Sequence, residues 1–202
     1  MPAPLFPFPL AQARPLRLAG RGLDVTDLAA FTDFLASERG PAPALTGGWG
    51  EDRDLYRGSA LFRSEEEPRT IHLGIDVWVE AGTPVAAPLA ATVHSFADNA
   101  NFGDYGGTIL LEHAVGGKRF WTLYGHLARR SLENLNEGAA VAAGEVFAWL
   151  GEPSENGGWP PHLHFQKILD LQGLRGDFPG VARPTEKGHW LRLCPDPSDL
   201  MV

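Results

Sequence analysis

Histidines in three short segments constrain this chain more than any other feature of its sequence. Four of the seven histidines fall in these segments together with one aspartate: His72 with Asp76, then His126, then His162 with His164. The apolar residues around the last pair favour a strand. Side chains two residues apart in a strand share a face and lie roughly 7 Å apart along it. The last two imidazoles can therefore face one small centre.

The spacing of His72 and Asp76 is harder to reconcile with one centre. In a straight strand they would share a face but stand about 13 Å apart, whereas a zinc ion holds its ligands at about 2 Å. A helix would bring them together, but Ile75–Val79 favours a strand and Gly82–Pro84 cuts the segment short. We therefore expect a strand that bends at Gly74, where glycine tolerates the unusual backbone.

Three motifs, taken in order, resemble the zinc peptidases of the M23 family. They are His72-Leu73-Gly74-Ile75-Asp76, Tyr124-Gly125-His126 and His162-Leu163-His164. The resemblance extends over roughly residues 70 to 168, and it depends on all three motifs because each alone would be weak. It implies two β-sheets of the duplicated hybrid motif type, with a groove over one of them.

The resemblance also implies a metal site and its chemistry. The implied ligands of Zn²⁺ are His72, Asp76 and His164. Two imidazoles and one carboxylate leave the site a net charge near +1 and a fourth position open for water of lowered pKa. The same resemblance implies that His126 and His162 are catalytic: one takes the proton and the other stabilises the oxyanion or the leaving amine. The sequence leaves open which does which.

The order of predicted elements indicates the architecture. Short strand-like runs separated by Gly- and Asn-rich turns fill residues 69–168 and predict an all-β core, an antiparallel two-sheet sandwich or partly open barrel. Gly116-Gly117 predicts a hairpin within it. Upstream, Asp24–Arg39 predicts a helix with Thr26 as its N-cap.

We accordingly divide the chain into three parts. Residues 1–68 form an N-terminal extension with one helix, residues 69–170 the zinc peptidase-like domain, and residues 171–202 a C-terminal extension packed on that domain. The N-terminal extension is long, contains aromatic residues and directly precedes the first ligand. We expect it to lie on the β domain and to narrow access to the site.

Aromatic residues in loops are the candidates for substrate contact. Trp159 lies in a Gly- and Pro-rich loop and offers a flat apolar face, and Tyr105 lies in a second loop. We predict that both bind substrate. Tyr56 and Arg63, which precede the first ligand, are further candidates for lining the cleft.

The composition and charge limit the classes of molecule that this protein is expected to bind. A formal net charge of -8 argues against nucleic acid or an anionic membrane as the main partner. No apolar run is long enough to span a bilayer. Met1–Leu10 lacks a basic start and is interrupted by prolines, unlike a signal peptide, so we expect a cytoplasmic protein unless another export route exists. The expected partner is a peptide or small amide substrate, without an obligate protein partner.

The leading hypothesis is a zinc-dependent metallopeptidase or amidase that hydrolyses a peptide bond, as in peptidoglycan-type peptides. A non-catalytic metal-dependent binding module of the same fold is an alternative, although it would not need both His126 and His162. The IIA sugar-transport phosphocarriers also resemble the His72–Asp76 segment, and there the histidine carries phosphate. A phosphocarrier function does not explain the presence of His126, His162 and His164.

Overall fold

A computed structural model describes residues 1–56 and 67–202, so Arg63 lies outside the described residues. The strands are β1 (Arg14–Pro15), β2 (Leu45–Gly47), β3 (Ile71–His72), β4 (Ile75–Trp78), β5 (Pro84–Ala86), β6 (Ala91–Asn99), β7 (Gly106–Val115), β8 (Lys118–Leu127), β9 (Ala140–Val141), β10 (Val146–Trp149), β11 (His162–Ile168) and β12 (Val181–Ala182). The α-helices in these ranges are α1 (Leu28–Arg39) and α2 (Lys187–Leu193), with several short 3-10 helices between elements.

One large mixed sheet dominates the described chain. Its eight strands follow the order β1-β2-β4-β11-β8-β7-β6-β9, with β1 parallel to β2 and the other pairs antiparallel. Two smaller sheets pair β5 with β10 and β3 with β12. The mostly β fold is therefore confirmed, while the two-sheet sandwich or partly open barrel stays a prediction.

The predicted hairpin joins β7 to β8. Val115 pairs with Lys118 across a two-residue turn, and both turn residues, Gly116 and Gly117, have positive φ values of 57° and 75°. Glycine adopts this left-handed backbone without the steric cost that a side chain would add. The turn chemistry therefore fixes the register of the two longest strands.

The predicted helix exists, but it begins at Leu28 and not at Asp24, and a residue other than Thr26 caps it. The Asp27 side chain caps α1 by accepting a hydrogen bond from the Ala30 amide at 3.0 Å. The Thr26 hydroxyl instead donates to Asp24 Oδ1 at 2.7 Å. Thr26 is wrong as the cap because this local bond to Asp24 occupies its side chain.

The large sheet separates the core from the site. Strand alternation places Val77, Leu163 and Phe165 on the face that packs in the main core cluster. Asp76, His162 and His164 alternate with them and lie on the opposite face. The main core also contains side chains from the N-terminal extension (Leu5, Phe6, Leu10 and Ala44) and from β5 and β10 (Val85, Phe147 and Ala148). The extension is thus part of the packed fold.

Residues 171–202 contact the strands that carry the first motif. Strand β12 pairs with β3, and the buried Phe178 and Cys194 join the cluster that contains Ile71 and Leu73. The Trp49 indole donates to the Cys194 carbonyl at 2.9 Å, which links the two extensions. Cys194 is a buried free thiol. The three-part domain division stays a prediction.

Helices of membrane-spanning length and apolarity do not occur in residues 1–56 and 67–202.

Candidate metal centre

Three neighbouring segments bring the predicted ligands together. Strand β3 ends at His72, the chain bends at Gly74, and β4 then carries Asp76, so the predicted bend is confirmed. The antiparallel pairing of β4 with β11 sets Asp76 opposite His164. A Cβ at Gly74 would lie 2.7 Å from His164 Nε2 and equally close to the Phe165 carbonyl. Only glycine fits between β3 and β4 while His164 keeps its position.

The ligand atoms have the spacing that one ion requires. His72 Nε2 lies 2.9 Å from His164 Nδ1 and 3.3 Å from Asp76 Oδ1, and His164 Nδ1 lies 3.2 Å from the same oxygen. Tetrahedral ligands at the usual 2.0 Å from zinc stand about 3.3 Å apart. The three side chains are 2–3% exposed. Their geometry therefore fits a small tetrahedral ion.

Hydrogen bonds behind the two imidazoles fix their tautomers. His72 Nδ1–H donates to the Gly48 carbonyl at 3.1 Å. The Gln166 amide nitrogen donates to the Pro179 carbonyl at 3.1 Å, so its Oε1 accepts from His164 Nε2–H at 2.9 Å. The opposite ring nitrogens, His72 Nε2 and His164 Nδ1, then carry lone pairs that face each other. Two lone pairs and a carboxylate oxygen converging on one point form a site for a cation.

A buried arginine holds the carboxylate of Asp76. Arg53 Nη1 donates to Asp76 Oδ2 at 2.6 Å and to the Tyr56 hydroxyl at 2.9 Å, while its Nε donates to Glu51 Oε2 at 2.9 Å. Burial would raise the pKa of Asp76, but His72 and Arg53 outweigh it and hold that pKa well below its ordinary value. Asp76 is therefore ionised, with Oδ1 left for a metal.

Burial also favours the neutral form of the imidazoles. Burial, together with the charge of Arg53, lowers the pKa of His72 to about 4. Desolvation likewise lowers the pKa of His162, and it lowers the pKa of His126 well below the ordinary histidine value. Near neutral pH these rings have a free nitrogen lone pair, as metal binding or proton acceptance requires.

The remaining two histidines of the motifs lie side by side next to the ligand set. The ring centroids of His126 and His162 are 4.0 Å apart. His126 Nδ1–H donates to the Asn156 carbonyl at 2.8 Å and His162 Nδ1–H donates to the Pro160 carbonyl at 2.7 Å. Both Nε2 atoms are thereby left without a proton, and His162 Nε2 lies 3.9 Å from Asp76 Oδ1.

His126 holds an uncommon backbone conformation at the end of β8. Its φ is +63°, which is rare for a residue with a side chain. Its amide donates to the Tyr105 carbonyl at 2.7 Å, and its carbonyl accepts from the Gly151 amide at 2.9 Å. These bonds on both sides hold the conformation, and such strain clusters at functional sites.

All five motif residues line one cavity of about 310 Å³. The predicted substrate residues Trp159 and Tyr105 line it as well, although they are only 8% and 9% exposed. Tyr56, a further candidate, also lines it. The Tyr105 hydroxyl is buried without a hydrogen-bond partner among the described residues, and burial raises its pKa well above the ordinary value.

Three residues behind the ligands were not anticipated from the sequence: Gly48, Arg53 and Gln166. The first two lie in segments that read as loop, so no periodicity marks them. The position of Gln166 could have been predicted from its spacing. It follows His164 by two positions in β11 and therefore shares its face.

Comparisons with known proteins identify relatives of the segment that carries these motifs. Residues 70–173 match the family described as Peptidase family M23. An uncharacterized metalloprotease of Haemophilus influenzae is 36% identical over 114 residues, which cover 55% of this chain and 22% of that protein. Lysostaphin of Staphylococcus staphylolyticus is 34% identical over 102 residues, covering 50% of this chain and 19% of that protein.

A solved structure matches a larger part of the chain. The catalytic domain of lysostaphin from Staphylococcus simulans matches with a TM-score of 0.44 and 24% identity, covering 76% of this chain and 94% of that one. The chain spans only about a fifth of the length of the two curated relatives named above.

Proposed function

The chain belongs to peptidase family M23, and from this premise we propose that it is a zinc-dependent metallopeptidase or amidase that hydrolyses a peptide bond, with peptidoglycan-type peptides as the substrate class. The proposal rests mainly on one observation. Two imidazole lone pairs and one carboxylate oxygen converge at separations of 2.9 to 3.3 Å. That donor set and spacing suit zinc.

In this proposal His72, Asp76 and His164 hold the ion. When bound, zinc would supply Lewis-acid chemistry, which lowers the pKa of water and polarises a scissile carbonyl. Each ligand has an outer partner that orients it: Gly48 for the first histidine, Arg53 for the aspartate and Gln166 for the second histidine. Such partners fix the ligand tautomers and tune metal affinity.

His126 and His162 are the proposed proton carriers. Each has its Nδ1–H engaged by a backbone carbonyl, so its Nε2 can accept the proton of an attacking water. Once protonated, Nε2–H can donate to the oxyanion or return the proton to the leaving nitrogen. Trp159 and Tyr105 are proposed to contact the substrate, the first through its flat ring and the second through its unpartnered hydroxyl.

A binding module that only holds the metal is the competing proposal. It gives no role to His126 and His162, which line the same cavity as the ligands. Burying these two imidazoles costs free energy because they are kept neutral near the pH at which histidine normally titrates. This pair therefore favours catalysis over binding alone.

The test combines metal analysis with hydrolysis. Protein purified without added metal is analysed for zinc and then incubated with peptidoglycan fragments and short peptide amides, with and without a chelator. We expect one zinc per chain and chelator-sensitive hydrolysis. Asp76→Ala should lose most of the metal, while Asp177→Ala, a control at the cavity rim, should keep it. Full zinc occupancy in Asp76→Ala, or no hydrolysis by zinc-loaded protein, would contradict the proposal.

A further inference from the structure

The loop between β10 and β11 carries both of the carbonyl groups that orient the proposed proton carriers. The Asn156 carbonyl accepts a hydrogen bond from His126 Nδ1–H at 2.8 Å, and the Pro160 carbonyl accepts one from His162 Nδ1–H at 2.7 Å. Each carbonyl fixes the tautomer that leaves Nε2 without a proton. The position of this loop therefore decides which nitrogen of each ring can take a proton.

The Asn156 side chain holds this loop together from inside. It is fully buried. Its Nδ2 donates to the Gly151 carbonyl at 3.2 Å and to the Trp159 carbonyl at 3.0 Å, and its Oδ1 accepts from the Trp159 amide at 3.0 Å. Because two carbonyls lie on one side and an N–H group on the other, only this orientation of the side-chain amide satisfies all three bonds. One buried side chain thus joins the two ends of the loop.

A closed set of hydrogen bonds runs from this side chain through His126. The His126 ring donates to the Asn156 carbonyl, the Asn156 side chain donates to the Gly151 carbonyl, and the Gly151 amide donates to the His126 carbonyl at 2.9 Å. His126 is therefore held both at its ring and at its backbone, where φ is +63°. A backbone in this sparsely populated region persists only when the surrounding structure over-determines it.

Contacts from the connection between β6 and β7 support the same loop from outside. The Gly103 amide donates to the Gly157 carbonyl at 2.7 Å. A Cβ at Gly106 would lie 2.6 Å from the Asn156 Cα, and a Cβ at Gly157 would overlap the Asp104 carbonyl. None of these backbone contacts uses the Asn156 side chain, so they remain when that side chain is shortened. We therefore expect variants at this position to shift the loop locally and not to unfold the domain.

We propose that Asn156 is a positioning residue for the two proton carriers: its side-chain amide holds the loop whose carbonyls keep His126 and His162 in the tautomer with an unprotonated Nε2. The proposal rests on the proposed peptidase function, because it matters for turnover only if these histidines carry the proton. Asn156 acts through the two rings, since it is fully buried and does not itself line the cavity.

Steady-state kinetics of the zinc-loaded protein are the first test, on a peptide that the wild type cleaves. Asn156→Ala keeps the backbone carbonyl but removes all three side-chain hydrogen bonds. We expect kcat to fall by roughly 10- to 100-fold, because small displacements of a reacting group slow the reaction, while KM changes less than about threefold. Zinc content should stay at one ion per chain. An unchanged kcat in folded, zinc-loaded Asn156→Ala would overturn the proposal.

Nitrogen-15 NMR of the imidazoles gives a second readout that does not depend on hydrolysis. In the zinc-loaded wild type, His126 should show a single tautomer with its proton on Nδ1. In Asn156→Ala we expect a mixture of both tautomers at His126, while His164 keeps its wild-type signals. A single, unchanged His126 tautomer would overturn the proposal whatever the activity. If the tautomer changes but the wild type cleaves no peptide, the peptidase proposal fails and the positioning of the imidazole by Asn156 stands.

Asn99→Ala is the matched control for losing a buried amide. Asn99 Nδ2 also donates two hydrogen bonds at 3.0 Å, to Thr108 Oγ1 and to the Gly176 carbonyl, and neither Asn99 nor Thr108 lines the cavity. This variant should keep kcat and the His126 signals near their wild-type values. Equal losses of kcat in Asn99→Ala and Asn156→Ala would show a general loss of stability and contradict the assignment.

Asn156→Ser is measured in parallel, so that the test does not depend on the folding of Asn156→Ala. The serine hydroxyl can make one of the three hydrogen bonds of the asparagine. Its kcat and its fraction of the wild-type His126 tautomer should both lie below those of the wild type and above those of Asn156→Ala. Wild-type values of both quantities in Asn156→Ser and in Asn156→Ala would show that the loop does not need this side chain.

Discussion

Arg53 and Asp76 form a buried ion pair, with Nη1 donating to Oδ2 at 2.6 Å and side chains 2% and 3% exposed. The pair joins the N-terminal extension to a proposed metal ligand 23 residues further along the chain. It leaves Oδ1 as the oxygen that faces the two imidazoles. The N-terminal extension therefore holds a proposed metal ligand in place and also supplies residues that line the cavity.

Replacing Arg53 by methionine should weaken zinc binding by roughly 10- to 100-fold, the usual effect of losing an outer-shell partner. The substitution removes the donor that holds Oδ2 and leaves Asp76 and Glu51 as buried carboxylates without their cation. The same loss should destabilise the metal-free protein by about 3–5 kcal/mol. Chelator competition measures the affinity, and urea unfolding measures the free energy of unfolding.

The matched control is Arg17→Met. Arg17 reaches Glu51 at 4.0 Å but is 81% exposed and does not contact Asp76 in the structure. We expect it to change neither zinc affinity nor stability measurably, since exposed ion pairs contribute little. Equal zinc affinities in Arg53→Met and Arg17→Met would show that Arg53 has no part in orienting the ligand.

Acid should destabilise the metal-free protein well above the pH at which carboxylates titrate. The unfolded chain binds a proton at His72 below about pH 6.5, whereas the folded protein resists it until about pH 4. Because the unfolded state then binds more protons, stability is fully present above pH 6.5 and falls as the pH drops. Each such histidine contributes a slope of at most about 1.4 kcal/mol per pH unit.

Urea unfolding of chelator-treated protein between pH 7.5 and about 5 measures this slope. His113→Gln is the informative variant. Burial lowers the pKa of His113, whose ring bonds to the Ala90 carbonyl and to Thr122 Oγ1, and it lies away from the metal centre. The variant should show a shallower slope below pH 6.5. A free energy of unfolding that is flat over this range would contradict the burial of neutral imidazoles.

The N-terminal residues should be needed for folding. Leu5 is fully buried in the main core, and its carbonyl accepts from the Ala86 amide at 2.9 Å. Leu5→Ala should cost about 2–5 kcal/mol of the free energy of unfolding, whereas Gln12→Ala, at an exposed position, should cost little. Equal unfolding midpoints for the two variants would contradict the packing.

For the same reason, trimming the chain to about residue 45 is expected to unfold it rather than to open the cleft. The sequence predicts that the extension lies on the β domain and narrows access to the site. Leu18, Phe31 and Leu55 line the cavity, and the narrowing of access stays a prediction. Sequence periodicity did not reveal that the Pro-rich lead-in also supplies core side chains, because its apolar residues are held by tertiary contacts and not by a regular helix or strand.

Local patterns predicted the parts of the site that lie on strands. The alternation in His162–His164 and the glycine between His72 and Asp76 are properties of neighbouring residues, and the structure has the strand and the bend that they indicate. Gln166 continues that alternation, so the same reasoning predicts that it lies on the strand face that carries His164. The resemblance to a family supplied the grouping of the three motifs.

Long-range contacts explain what the sequence did not predict. Arg53 lies beside two acidic residues in a loop, a pattern typical of a solvated surface, and only the fold reveals that it is 1% exposed. The cavity is a second example. The apolar residues that line it come from separate places in the chain, among them Leu18, Phe31, Leu55, Trp78 and Trp159. Burial of a charge or assembly of a pocket depends on which segments meet, and no local period encodes that.

Substitutions of single histidines should separate zinc binding from catalytic turnover. His164 Nδ1 faces His72 Nε2 and Asp76 Oδ1, whereas His162 Nε2 stands 3.9 Å from that oxygen and its ring stacks on Trp78. We therefore expect His164→Ala to lose zinc and hydrolysis together. Zinc content is measured by atomic absorption on the same purified samples that are assayed.

His162→Ala and His126→Ala should instead keep zinc and lower kcat by roughly 10²-fold or more, the usual effect of losing an acid–base group. Three protein ligands leave a fourth position for water, and a fourth histidine ligand would close it. His113→Gln serves as the control for loss of a buried histidine outside the cavity, and its kcat should stay near the wild-type value. If His162→Ala loses zinc while His164→Ala retains it, the two roles are reversed. If neither His126→Ala nor His162→Ala slows hydrolysis, the proton must travel by another group.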